Sequence, residues 1–371
     1  MQLRSSRWFR VAVVGTCAAL PLTSIALEHA QAATTKVNVV GYSVVGPAYK
    51  VLETDFEATS AGQGVTFTNS FGASDTETNN VAAGQPADIV NLSYEPNMAT
   101  LVGDGRVPAK WASQELSVGG VNTALRFKKQ QTTYRTPGIL TDSVVAFAVR
   151  TGNPLGIKNW GDLAKSGVQV VTPNPVTSGS ARWNLLAGYA AQIAVGRTPN
   201  QGQNYLKALI SNTVAQPTSG SAALAAFIAG TGNVLLDYED DIDAAIAAGD
   251  QLQIVTPPET LLIENPIALT NTGVNNPSAV AFYQYLFSSA GQTVLAGLGY
   301  RSVLKSVWAS SESKFASFKK STDLITVESL SGWPAVNPEF FSNTVVFPSG
   351  NTTYPSSGIV TYLEKFAGST S

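Results

Sequence analysis

Val168-Gln169-Val170-Val171-Thr172 runs through Pro173-Asn174-Pro175-Val176-Thr177-Ser178-Gly179-Ser180 into a long apolar-periodic stretch over residues 181–195. The β-branched block reads as a buried strand, the prolines end it, and Ser-Gly-Ser before a 3.6-residue periodicity marks a helix start. A strand that passes through a small-residue loop into a helix is half of a β-α-β unit, the building block of parallel sheets. The same order recurs on both sides. Strands are expected at 37–42, 64–69, 87–92, 144–149, 168–172 and 233–237, with helices at 49–57, 75–83, 181–195, 203–210 and 222–229. The predicted fold class is therefore α/β, with mainly parallel sheets flanked by helices.

Compartment and size come from the ends of the chain. Arg4, Arg7 and Arg10 precede an apolar run over 11–27 that closes on Ala30-Gln31-Ala32, the pattern of a secretory signal peptide cleaved before Ala33. No later stretch offers the roughly 20 apolar residues of a membrane span. Cys17 opens a second possibility, lipidation and anchoring at the cell surface. Cleavage at 32 removes three basic and one acidic residue, leaving 20 basic and 24 acidic and a formal charge of −4. It also removes His29 and Cys17, the only histidine and the only cysteine. Disulfides, His/Cys metal sites, thiol nucleophiles and histidine catalysis are thereby excluded from the mature chain. No basic tract marks a nucleic-acid surface. No metal and no cofactor is expected. About 340 residues exceed one comfortable core, so two lobes are expected. Asn153-Pro154-Leu155-Gly156 and Trp160-Gly161-Asp162-Leu163 open a second β-α series just after the strand at 144–149.

Four strand-to-helix junctions share one chemistry: Tyr42-Ser43-Val44-Val45-Gly46, Phe71-Gly72-Ala73-Ser74, Thr177-Ser178-Gly179-Ser180-Ala181 and Thr218-Ser219-Gly220-Ser221-Ala222. The last two repeat TSGSA 41 residues apart. Small residues let the backbone come close to a ligand, serine brings a hydroxyl, and the first N–H groups of a helix are free to bind an anion. Each junction alone is accounted for by capping and turning. Together, divided between two lobes, they point to a shared cleft at the carboxyl ends of the strands. Glu77, three residues after Ser74, has capping-box spacing.

The run Thr172-Pro173-Asn174-Pro175, Thr177-Ser178-Gly179 and Ala181-Arg182-Trp183-Asn184 resembles the signature of the bacterial periplasmic sulfate- and thiosulfate-binding proteins of ABC importers. Val149-Arg150 with Gly152-Asn153-Pro154, Thr256-Pro257 with Glu259, Gly291-Gln292, Tyr300-Arg301 and Gly332-Trp333 follow in family order across about residues 36–345. The resemblance implies a two-lobed periplasmic-binding-protein fold of type II, with crossover strands joining the lobes. Lobe I would comprise 33–147 with 267–347 and lobe II 148–266; the segment 348–371 lies outside the resemblance and reads as a polar tail with one possible short helix. Rotation would occur about strands near 144–149 and 264–270. It further implies capture of sulfate, thiosulfate or a related tetrahedral oxyanion by neutral donors, delivery to the permease subunits of an importer, and a monomeric, non-enzymatic protein. The donors implied are the N–H of Ser43, the region of Ser74, the hydroxyl of Ser178 and the N–H groups of Gly179, Ser180 and Gly220.

Three positions depart from the family pattern. Tyr238 stands where the family has a tryptophan whose indole N–H donates; a phenol donates from a different distance. Ser180 replaces a glycine. Asp75 replaces an uncharged residue, and two readings stay open for it: a first-turn acid that complements the helix dipole from solvent, or a selectivity element that repels sulfate and accepts the proton of hydrogen phosphate. Glu239, Asp240, Asp241 and Asp243 read as solvated charges at a helix start. Phosphate or molybdate binding remains an alternative. A secreted hydrolase working with two carboxylates and a surface structural protein fit the composition too, but neither a G-x-S-x-G elbow nor a P-loop occurs.

Overall fold

A computed structural model describes residues 35–114, 138–318 and 323–367. The expected signal peptide, with Cys17 and His29, lies outside these residues. From the N-terminal side, β1 (Thr35–Tyr42), α1 (Gly46–Glu57), β2 (Val65–Gly72), α2 (Ser74–Ala82), β3 (Ile89–Asn91) and α3 (Glu95–Gly103) form one β-α series. After β4 (Ile139–Arg150) comes a second: α4 (Trp160–Leu163), β5 (Val170–Val171), α5 (Gly179–Ala194), α6 (Pro199–Ser211), β6 (Thr213–Ala215), α7 (Gly220–Ile228), β7 (Val234–Tyr238) and α8 (Glu239–Ala247). Then follow β8 (Leu252–Val255), β9 (Thr260–Leu269), α9 (Pro277–Phe287), α10 (Ser289–Gly297), β10 (Arg301–Ser302), α11 (Lys305–Ser311), β11 (Leu324–Ile325), α12 (Trp333–Phe341) and α13 (Ile359–Ala367).

The strand order is β2-β1-β3-β9-β4-β7-β5-β6, with β8 and β10 on β4 and β11 on β9. β1 pairs in parallel with β2 and β3, and β5 pairs in parallel with β6 and β7. Two parallel sheets, one per lobe, are thus joined through β4 and β9, which pair with each other antiparallel. Both are long and buried along almost their whole length, as strands covered on both faces must be. The first half of β4 pairs with β9 (Asp142 opposite Glu264, Val144 opposite Leu262), and its second half joins β7 from Val145 to Val149. The end of β9 joins β3 from Ile267 to Leu269. The crossover therefore spans residues 139–144 and 262–266, slightly away from the expected 144–149 and 264–270, which lie mostly within the arms that each lobe claims. The polar Thr141, Asp142 and Ser143 hide this half of β4 from a hydropathy reading, yet all three are fully buried.

Local chemistry fixes the helix starts. Thr198 and Gln201 cap each other's backbone N–H groups around Pro199 at the start of α6, and Asn159 and Asp162 do the same for α4. The C-terminal stretch, expected as a polar tail with one possible short helix, does form that helix, α13, but it is packed on the body: Ile359, Val360 and Leu363 are buried, and α13 lies against α6 and α12.

Candidate functional site

The carboxyl ends of β1, β2 and β3 face those of β5, β6 and β7, and the six junctions meet there. Both TSGSA helices begin at their glycine, two residues before the expected starts at 181 and 222. Gly179, Ser180 and Gly220 thus occupy the first turns, where backbone N–H groups have no intrahelical acceptor. Ser178, the residue that caps α5 by position, makes no capping bond; its hydroxyl pairs with Ser180 Oγ at 2.8 Å. The expected Ser74/Glu77 capping box does not form. The cap position is Ala73, Glu77 takes the Ser70 hydroxyl at 2.9 Å, and Ser74 Oγ accepts the N–H of Ser93 at 3.0 Å.

The two lobes touch through these loops. Asp75 N–H donates to Thr177 O at 3.2 Å, and Ser221 N–H donates to Ser43 Oγ at 3.3 Å. Trp183, fully buried in α5, donates its indole N–H to Ser93 O at 2.7 Å. A Cβ built on Gly220 would lie 3.2 Å from Ser180 Oγ and 3.8 Å from Ser43 Oγ; one on Gly179 would lie 2.5 Å from Ser93 Oγ. Ser43, Ser74, Ser178, Gly179, Ser180 and Gly220 are therefore gathered into one small volume. Ser93, at the β3–α3 junction, joins them and was not among the residues singled out from sequence.

Among the described residues, no protein acceptor meets the N–H groups of Ser74, Gly179, Ser180 or Gly220, each in the first turn of its helix. All four residues are buried. Leaving a buried N–H unpaired costs roughly 1–3 kcal/mol. Native chains rarely leave several such donors pointing at one place without an acceptor to fill it.

Tyr238 ends β7 and is wholly buried, its ring centroid 6.3 Å from that of Tyr42. No hydrogen-bond partner meets its hydroxyl among the described residues. Burial above all, then the carboxylates of Asp241 and Asp240, push this phenol well above its usual range, while the Asn265 side chain works the other way. It therefore keeps its proton and stays a donor.

The acidic run that follows corrects the sequence reading. Glu239, Asp240 and Asp241 are buried, because α8 packs on β4 and β8. Glu239 is bound by Arg301 through two bonds, of 2.7 and 3.1 Å. Burial pushes Asp240 up to about 7 and Asp237 up to about 8; Glu239 and Asp243 raise Asp240 further, against the nearby Ser143 hydroxyl and its own backbone N–H. An unfolded aspartate titrates near 3.9. Between these values the folded chain holds protons that the unfolded chain releases, so stability is lost as pH rises from about 4 to 8. The melting temperature is expected to fall by on the order of 5–10 °C between pH 5 and 8, and Asp240→Asn is expected to flatten that slope. A rising melting curve would contradict the assignment.

Asp75 stands in the first turn of α2, as its first reading has it, but it is paired and not in solvent. Its carboxylate receives Arg182 of α5 at 2.5 Å, Asn97 at 2.8 Å and the Tyr94 hydroxyl at 3.2 Å. Arg182 also reaches Pro175 O at 3.1 Å and Asn337 Oδ1 at 3.2 Å. The pair is a bridge between lobes, on the wall of a cavity of about 440 Å³. Burial raises the Asp75 carboxyl, opposed by Arg182, Asn97 and Tyr94. Among the described residues no group of three or more His, Cys, Asp or Glu side chains is arranged to hold a metal ion, and no helix is long and apolar enough to cross a membrane.

Residues 37–301 match the sequence profile of the bacterial extracellular solute-binding proteins. The chain belongs to that family. Similar members include the sulfate-binding protein of Synechococcus elongatus, 32% identical over 317 residues that cover 83% of this chain and 84% of that protein. The thiosulfate-binding protein of Pseudomonas aeruginosa is 28% identical over 342 residues, covering 89% and 96%. Among solved structures, the sulfate-binding protein SubI from Mycobacterium tuberculosis is 36% identical and superposes with a TM-score of 0.74, over 83% of this chain and all of that one. The type II, two-lobed arrangement expected from the sequence is thus the fold of a solute-binding protein, with its donor-lined junctions at the interlobe face.

Proposed function

We propose that this solute-binding protein captures sulfate, or thiosulfate, between its lobes and hands it to the permease subunits of an ABC importer. The convergence of four unpaired backbone N–H groups, of Ser74, Gly179, Ser180 and Gly220, carries this reading. A doubly charged oxyanion supplies acceptors to every donor, and helix N-termini supply the positive end of the dipole without a free cation. Ser178 and Tyr238 add side-chain donors. The names of the similar proteins from Synechococcus, Pseudomonas and Mycobacterium support the ligand class.

The chain acts as a binder and not as an enzyme, so ligand raises its melting temperature without turnover. Lobe I comprises 33–147 with 267–347, lobe II 148–266, and the protein works as an exported monomer released from its signal peptide at residue 32. Every phosphate species present at neutral pH carries an O–H, for which this site of N–H groups and hydroxyls offers only hydroxyl oxygens that must then give up donating to the anion, a mismatch of roughly 1–3 kcal/mol. Asp75 is committed to the interlobe bridge, accepting Tyr94 and Asn97 on Oδ1 and Arg182 on Oδ2, and Arg182 offsets its charge toward the ligand.

Ser178→Ala tests the site. It removes a hydroxyl donor and leaves the helix start in place. Sulfate affinity is expected to fall by about 1.5–3 kcal/mol, the range for a hydrogen bond to a charged group, with the melting temperature of the unliganded protein nearly unchanged. Wild-type affinity in calorimetric titration would reduce the loop to a turn.

A further inference from the structure

Ser74 and Ser93 meet hydroxyl to hydroxyl, one from the β2–α2 junction and one from the β3–α3 junction. Both are almost completely buried. Ser74 Oγ accepts the backbone N–H of Ser93 at 3.0 Å. Ser93 is itself pinned, because its carbonyl accepts the Trp183 indole N–H at 2.7 Å and the Asn265 amide at 3.2 Å. Its hydroxyl stands against Gly179, one of the residues with an unpaired N–H.

A hydroxyl has one proton to give and two lone pairs to accept with. Ser93 N–H fills one lone pair of Ser74 Oγ. If the Ser93 hydroxyl donates into the other, Ser74 has no acceptor capacity left, and its own proton is free for a ligand. Donation into Ser74 also polarises its O–H and strengthens the bond that it makes onward. We infer that Ser93 is a specificity-determining positioning residue: it turns Ser74 into a pure donor, which favours an oxyanion without protons over one that carries O–H. This inference rests on the oxyanion reading of the site, and it adds a selectivity element outside the four junctions read from the sequence.

A double-mutant cycle between Ser93→Ala and Ser74→Ala tests it, with sulfate and phosphate titrated into each of the four proteins at pH 7. Ser93→Ala is expected to weaken sulfate by about three- to tenfold, the scale of one hydrogen bond, and to narrow the sulfate-to-phosphate ratio by a similar factor, because the freed lone pair can now accept a phosphate O–H. In the Ser74→Ala background both effects should vanish, since Ser93 acts through Ser74. Unliganded melting temperatures identify any variant that fails to fold; Ser93→Thr, which keeps the hydroxyl, should then retain the wild-type ratio if the hydroxyl is what matters. Additive effects, or an unchanged anion ratio in Ser93→Ala, would overturn the inference while leaving the oxyanion site standing. A wild-type protein that binds no oxyanion would remove both.

Discussion

Gly179→Asp is expected to abolish anion binding while the chain still folds. Even an alanine Cβ at this position would lie 2.5 Å from Ser93 Oγ and 2.7 Å from Tyr94 Cδ1, both on the opposite lobe. A side chain there acts as a wedge. Overpacking of this kind costs roughly 1–3 kcal/mol, and the lobes can relieve it by opening about the β4–β9 crossover, so stability should change little. The carboxylate adds repulsion of about 4 kcal/mol for unit charges 4 Å apart at an effective dielectric near 20. Together these exceed a thousandfold loss of affinity. Gly179→Ala should retain measurable binding, weakened by about 10–100-fold on the overpacking cost alone. Titration calorimetry reads both, and wild-type affinity in Gly179→Asp would show that closure does not bring residue 179 onto the ligand.

The largest expected loss of stability comes from breaking the Arg301–Glu239 pair. Both side chains are almost wholly buried, and Arg301 also donates to Ala316 O at 3.1 Å and stands 5.1 Å from the Phe315 ring centroid. Removing one charge leaves the other desolvated and unpaired, which costs about 3–5 kcal/mol. Arg301→Met should therefore lose that much in urea unfolding. Arg301→Met combined with Glu239→Leu should recover most of it, because two apolar side chains leave no orphaned charge. A double variant as unstable as the single one would mean that lost packing of Arg301, and not the pair, is responsible.

The parts of the fold that depend on local pattern were legible in the sequence. Strand-loop-helix order specifies the two parallel sheets, and the repeated TSGSA marks two helix starts that lie at the interlobe face. What escaped depended on partners far away in the chain. Glu239 looked solvated because Arg301 lies 62 residues on, and Asp75 looked free because Arg182 lies 107 residues away. Ser93 carried a usable signal: Asn91-Leu92-Ser93-Tyr94-Glu95-Pro96 is a fifth strand-to-helix junction, with proline in the first helical turn. The strand at 87–92 is expected, but this junction has no glycine, which each of the other four carries, so the small-residue pattern does not single it out. The start of β4 was missed for the opposite reason, since polar residues filled a stretch that tertiary burial makes a central strand.

Calorimetric titration of residues 33–371 with sulfate and with phosphate at pH 7 tests the central claim most directly. The account predicts one sulfate per chain and weaker phosphate, with the same order of preference in Asp75→Asn, because Asp75 is held by Arg182, Asn97 and Tyr94. Phosphate bound in preference to sulfate, and lost on Asp75→Asn, would contradict it.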